Sequence, residues 1–178
     1  MNVKQETAVL IAVVGKEQSD EQTNEYLDEL EFLATTAGIV TSKRFTQRLP
    51  HPDHKSYVGK GKLHEIKIYC EEKGVDLVLI DDEISPSQQR NIEKELQKKV
   101  LERSMLILDI FAQRARTVQA RTQVELAQLQ YMLPRLKGMW THLERQRGGT
   151  GTRGGAGEKE IETDRRMAEK KISVLKEK

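Results

Sequence analysis

The sequence predicts an α/β protein in which a small parallel four-stranded sheet, flanked by helices, is followed by a long antiparallel two-helix coiled-coil hairpin. In the first 112 residues, short apolar runs alternate with amphipathic segments, as in βαβ units that build a parallel sheet. After that point, apolar residues recur at heptad spacing on both sides of a glycine-rich segment. We therefore expect an α/β N-terminal subdomain over residues 1–112 and a helical hairpin subdomain over residues 113–178.

The first predicted strand is the continuous apolar run Thr7–Val14, which is typical of a strand buried on both faces of a sheet. A helix follows, because Ser19 and Gln22 have the spacing of a capping box and Gly38 supplies a left-handed end. The next extended segment, residues 39–48, has polar outer positions. That pattern indicates a less buried or edge strand.

The same alternation continues to the end of the predicted sheet. The spacing of apolar residues predicts a helix ended by Gly74 and then a strand over Leu77–Ile80. A Ser85–Gln88 capping box, with Pro86 in the first turn, begins the next helix. A short strand over Val100–Glu102 and a helix over Met105–Arg114 follow. The α/β part should therefore end near Ala112.

The hairpin prediction depends on a heptad seam. In a first helix from about Arg116 to Arg147, the seam residues are Leu126, Leu129, Leu133, Leu136, Trp140 and Leu143. In a returning helix, Ile161, Ala168, Ile172 and Leu175 can continue such a seam, so the two helices should pair antiparallel. Pro134 removes one backbone hydrogen bond and should kink the first helix.

The tip loop between these helices, residues 147–157, is the strongest indication of function. Six of the ten residues from Gly148 to Gly157 are glycine, and glycine lets the main chain approach a ligand closely. The arginine guanidinium offers a fixed fork of donors that matches phosphate. We predict RNA binding by Arg145, Arg147, Gly148, Gly149, Thr150, Gly151, Thr152, Arg153, Gly154 and Gly155. The alternative is a flexible linker that carries arginines by chance.

Charge is distributed unevenly along the chain. The formal net charge is only +2, yet residues 113–155 contain eight Lys/Arg and two acids, which gives +6 and leaves −4 for the remainder. A basic segment joined to a mildly acidic body indicates a local contact with a polyanion.

Two further motifs are weaker. Gly59, Lys60, Gly61 and Lys62 precede a predicted helix and could contact a phosphate at its N-terminus, or simply form a tight turn with exposed lysines. Asp81, Asp82 and Glu83 follow a predicted strand at the end where α/β sheets place ligands, and could hold Mg²⁺. We favour the simpler interpretation that these acids stabilise the positive end of the next helix.

Several classes of protein are disfavoured. The single cysteine, Cys70, excludes an internal disulfide and a cysteine-based zinc cluster. His51 and His54 lack further ligands, so we expect no metal site, and no nucleophile–base pair indicates catalysis within this chain. No apolar run approaches the roughly 20 residues that span a bilayer, and no signal-peptide pattern opens the chain. We expect a cytoplasmic protein without a membrane segment.

Seven stretches together resemble one family, the HflX GTPases that bind ribosomes. They are Tyr57–Lys62, Ile84–Asn91, Leu106–Arg116, Gln123–Tyr131, Leu133–Leu136, Gly148–Gly154 and Glu162–Arg166. The tip departs from the family pattern, because Arg153-Gly-Gly-Ala-Gly-Glu158 lacks the proline of the usual Arg-Gly-Pro-Gly-Glu.

The resemblance implies an N-terminal α/β subdomain and a helical hairpin that precede a GTPase domain. GTP and Mg²⁺ are then expected in a GTPase domain beyond Lys178, with no cofactor in this chain. The implied partners are the large ribosomal subunit, its rRNA near the peptidyl-transferase region and the protein's own C-terminal GTPase domain. The implied role is to separate the subunits of stalled or stressed ribosomes. Two alternatives stay open: an ATP-binding or ATP-hydrolysing RNA-remodelling domain, and an intramolecular regulator of the GTPase domain.

Overall fold

The computed structural model describes residues 5–135 and 156–177, and the side chains within residues 156–164 lie outside this description. The chain divides into two compact units, residues 1–110 and residues 111–178.

The first unit is built on a four-stranded parallel sheet, as the sequence predicts. Its strands are β1 (Thr7–Val14), β2 (Val40–Arg48), β3 (Leu77–Ile80) and β4 (Lys99–Glu102), in the spatial order β2-β1-β3-β4. Strand β1 is central and almost wholly buried, whereas β2 is an edge strand with mostly polar, partly exposed positions. Both features match the apolar and mixed patterns of the two segments.

The helices of this unit are α1 (Asp20–Thr36), α2 (Lys60–Lys73), α3 (Pro86–Leu96) and α4 (Arg103–Arg114). Alternate residues of β1 belong to two separate apolar cores. One core contains apolar residues of α1 and α4, and the other contains apolar residues of α2 and α3. This division follows from right-handed crossovers, since the chain reverses its direction across the sheet after β2.

Local signals set the helix ends. Ser19 and Gln22 form the predicted capping box of α1, and Ser85 and Gln88 form that of α3. Gly74 ends α2 in the left-handed conformation that favours glycine.

A β-bulge interrupts the pairing of β1 with β2. Ala8 pairs with Thr41, but Val9 pairs with Lys43, so Ser42 is an extra residue in β2. Beyond the bulge, Phe45 joins the core beneath α2 and α3.

Tyr57 fixes the loop that leads from β2 to α2. Its backbone has φ = 67°, which is unusual for a bulky residue, and the side chain is only 1% exposed. The hydroxyl accepts a hydrogen bond from the Val13 N–H (3.1 Å) and donates one to Asp82 Oδ2 (2.5 Å). Burial and the neighbouring carboxylate raise the pKa of this phenol far above its usual value. Tyr57 therefore ties the loop to the ends of β1 and β3.

The second unit contains α5 (Val118–Met132), a short 3₁₀ turn (Leu133–Arg135) and α6 (Ala156–Lys176). Helices α5 and α6 contact each other, and Lys171 forms an ion pair with Glu125 across this contact. Of the predicted seam, Ile172 and Leu175 are buried, while Leu126, Leu129 and Leu133 are partly buried.

The structure bears differently on three other expectations about the second unit. Pro134 lies in the 3₁₀ turn that follows the end of α5 at Met132, and the chain after Arg135 lies outside the described residues, so a kinked continuation stays a prediction. Ala156 and Gly157, assigned to the tip loop from the sequence, form the first turn of α6. Leu136, Trp140 and Leu143 lie outside the described residues, and the coiled-coil hairpin itself stays a prediction.

Replacing Tyr57 by Phe should lower the free energy of unfolding by about 1–3 kcal/mol, because it leaves the buried Val13 N–H and Asp82 without their partner. Chemical denaturation measured by circular dichroism tests this. The matched control is Tyr69→Phe, whose hydroxyl bonds Ser42 at an exposed position and whose loss should cost within about 0.5 kcal/mol. Equal effects of the two changes would contradict the role given to Tyr57.

Candidate functional site

The carboxyl ends of β1 and β3 border a crevice at the centre of the sheet. The chain runs from β1 outward to β2 on one side, and β3 and β4 lie on the other side. Open α/β sheets bind ligands at such a reversal of strand order. On the α1 side there is an open cleft of about 380 Å³, lined by Ala12, Val13, Gln18, Tyr26, Glu29, Asp81, Asp82 and Arg103.

Arg103 organises the polar wall of this cleft. Its Nη2 donates to Asp81 Oδ1 (2.5 Å) and to the Tyr26 carbonyl oxygen (3.0 Å), and its Nη1 donates to Glu29 Oε2 (3.0 Å). The Asp81 side chain is only 8% exposed. Burial raises the pKa of Asp81, while the guanidinium acts in the opposite direction. The guanidinium therefore holds together strand ends and helix α1.

Asp81 and Asp82 each bond a side chain from another element of the first unit. Asp81 binds Arg103 and Asp82 accepts from Tyr57, whereas Glu83 is exposed. Helix α3 begins at Pro86 with Ser85 as its cap, so a serine rather than these acids satisfies its first N–H groups. Within residues 5–135 and 165–177, no group of three His, Cys, Asp or Glu side chains could hold a metal ion.

The Gly59–Lys62 motif forms the start of α2. Gly59 is the N-cap, and its N–H donates to Gln47 Oε1 (2.8 Å). A side chain at Gly59 would crowd the Gln47 amide, since an added Cβ would lie 3.1 Å from Nε2. Lys62 pairs with Glu65 (3.0 Å), and Lys60 is exposed. Gly59 therefore has a packing role, and anion contact by Gly59, Lys60, Gly61 and Lys62 stays a prediction.

The predicted RNA-binding residues from Arg145 to Gly155 lie outside the described residues, so this interface stays a prediction. The described part of the basic segment includes Arg114, Arg116 and Arg121, all of which are exposed. Arg135 stacks over the ring of Tyr131, 3.9 Å from its centroid.

Sequence reasoning missed Tyr57 and Arg103 as structural centres of the crevice. Tyr57 belongs to the Tyr57–Lys62 motif, but nothing in the sequence indicates that its hydroxyl bonds a strand residue 44 positions away. Arg103 follows a predicted strand directly, and its position beside Asp81 depends on the pairing of β3 with β4. A charged residue directly after a buried strand was the one available signal.

No helix among the described residues is both long and apolar enough to span a lipid bilayer.

Two family models match consecutive parts of the chain. Residues 24–112 match the GTP-binding GTPase N-terminal model, and residues 114–178 match the GTP-binding GTPase middle region model. Among solved structures, a GTP-binding protein from Sulfolobus solfataricus in complex with GDP is similar, with a TM-score of 0.61 and 26% identity over 96% of this chain and 46% of that chain. The complex of SsGBP with GDP gives a TM-score of 0.69 at 25% identity, over 97% of this chain and 42% of that chain.

Curated relatives agree with these matches. The GTPase HflX of Flavobacterium psychrophilum is 56% identical over 173 residues, which is 97% of this chain and 42% of the relative. The GTPase HflX of Escherichia coli is 45% identical over 94% of this chain and 38% of its own length. The chain thus spans about two fifths of each of these two relatives, and within that span it belongs to the HflX family of GTPases.

Proposed function

We propose that this chain is the ribosome-binding part of an HflX-like GTPase, which contacts rRNA of the large subunit near the peptidyl-transferase region and promotes subunit dissociation or rescue of stalled ribosomes. The observation that carries the proposal is the segregation of charge: residues 113–155 hold +6 in a chain of net +2. Membership of the HflX family supports it.

The mechanism we propose is electrostatic and steric. Helices α5 and α6, in contact and joined by the Glu125–Lys171 ion pair, would hold the glycine- and arginine-rich tip as one element. The tip would enter a crowded RNA site because glycines add no side-chain bulk and arginines neutralise phosphates. Its binding energy would favour an rRNA arrangement that opposes subunit joining.

Further parts of the proposal concern domain organisation, cofactors and location. We propose domain boundaries at residues 112 and 113, GTP and Mg²⁺ bound by a separate GTPase domain, and action in the cytoplasm. The support is the pair of adjoining family models and the share of each relative that the chain covers.

Replacing Arg147 and Arg153 together by Ala should weaken binding to purified large subunits and flatten its dependence on salt. Each lost phosphate contact lowers the log–log salt slope by about 0.9 on duplex and about 0.7 on single strands. Co-sedimentation over a range of KCl concentrations measures both quantities.

The matched control removes the same charge from the first unit, through Lys73→Ala and Lys94→Ala at exposed positions of α2 and α3. If the control pair weakened binding as much as the tip pair, the effect would reflect net charge and the assignment to the tip would fail.

The cleft beside Arg103 favours a second candidate, an ATP-binding role of the α/β unit, because it lies at the reversal of strand order. Its charge argues against a triphosphate. Asp81, Asp82 and Glu29 outnumber the single Arg103, and three of its five N–H donors already bond two of these carboxylates and a carbonyl oxygen.

We therefore expect no heat when ATP and Mg²⁺ are titrated into the chain at high micromolar concentration in a calorimeter. A binding heat that is observed with the wild type but absent with Arg103→Ala, whose fold is intact by circular dichroism, would instead establish the nucleotide site.

A further inference from the structure

Helix α1 presents an aromatic residue to solvent on its outward face, in the C-terminal half of the helix. Phe32 is 71% exposed. The buried residues of α1 are Thr23, Leu27, Leu30 and Ala34, spaced 4, 3 and 4 apart. Phe32 belongs to a second set with the same spacing, formed by Glu21, Glu25, Asp28 and Phe32. The two sets are offset by two residues, so they lie on opposite faces of the helix, about 200° apart.

The rest of this outward face is acidic. Helix α1 contains six carboxylates and no basic residue. Three arginines of the first unit neutralise part of this charge: Arg48 pairs with Asp20 (2.5 Å), Arg44 pairs with Asp28 (2.7 Å) and with Glu31, and Arg103 pairs with Glu29 (3.0 Å).

The remaining carboxylates are placed along the same line as Phe32. Within the part of the chain that the structure describes, Glu21 and Glu25 form no ion pair, and both are exposed. Six carboxylates against three arginines leave −3 on α1 and its partners. Glu25 and Glu21 lie roughly 10 and 16 Å along the helix axis from Phe32. Nearer to Phe32, Asp28 and Glu31 share the single Arg44, so the line that ends at Phe32 keeps excess negative charge.

This combination selects the chemistry of a partner. RNA is excluded because its phosphates would be repelled by the carboxylates around Phe32. A second copy meeting through the same face is disfavoured, since a two-fold contact would place two acidic faces against each other. A protein segment with lysine or arginine beside aliphatic side chains complements both the negative charge and the exposed ring. Its cations would reach the carboxylates, and its apolar face would cover Phe32. Arginine can also stack on the phenyl ring.

We propose that the outward face of α1, centred on Phe32, is a docking surface for a lysine- and arginine-rich amphipathic protein segment. This surface and the proposed RNA-binding tip consist of different residues and carry opposite charge. The protein would then contact RNA through its basic segment and a basic protein through α1.

Fluorescence anisotropy with a labelled amphipathic peptide of lysine and leucine at helical spacing tests the surface directly. Phe32→Ser and the double change Glu21→Lys, Glu25→Lys should each weaken binding of the full 178-residue chain about tenfold or more, as expected for an anchor and its flanking charges. The matched controls on α2 are Ile68→Ser, at a position 42% exposed, and the double change Glu71→Lys, Glu72→Lys. The controls should leave the affinity within about twofold.

The same variants are then titrated with labelled single-stranded RNA, where the Phe32→Ser affinity should equal that of the wild type. Absence of peptide binding, or equal losses in the α1 and α2 variants, would overturn the docking surface. Self-association in sedimentation velocity that disappears in Phe32→Ser would assign the face to a second copy and overturn it as well. None of these results depends on ribosome binding, so the surface and the proposed function fail separately.

Discussion

The first unit depends on the burial of β1 on both faces. Seven of its eight residues are buried, and its backbone pairs in parallel with β2 on one side and β3 on the other. Parallel neighbours cannot be joined by a tight turn, so each connection must cross the sheet as a helix. Those crossovers bring the loops after β1 and β3 together at one edge. Tyr57, Asp81, Asp82 and Arg103 meet there for this reason.

Local sequence signals predicted the elements that depend only on neighbouring residues. Two capping boxes, a left-handed Gly74 and an apolar run at Thr7–Val14 lie within a few residues of the structures they specify. The four-stranded parallel sheet followed from their alternation. The end of α5 is specified less directly, because a proline can kink a helix or follow its end, and Pro134 lies in the 3₁₀ turn after Met132.

The polar contacts of the crevice could not be predicted in the same way. The Tyr57 hydroxyl bonds a residue 44 positions away, and Arg103 bonds Glu29 across 74 positions. Their geometry exists only once β3 pairs with β4 and α1 packs on the sheet. The predicted RNA-binding tip is the reverse case, because composition alone indicates it, while Arg145–Gly155 lie outside the described residues.

The extra residue Ser42 in β2 has a consequence for chain length. Because side chains alternate between the faces of a strand, the bulge reverses the alternation of everything after it. Phe45 thereby lies under α2 and α3, while Arg44 and Arg48 reach the carboxylates of α1. A chain without Ser42 would keep the same pairs, with Arg44 opposite Leu10 and Phe45 opposite Ile11, and the ladder would become regular from Thr41 onward. The strand should therefore tolerate the loss of one residue at Ser42, whereas a deletion between Phe45 and Arg48 would move Arg48 to the opposite face of the sheet.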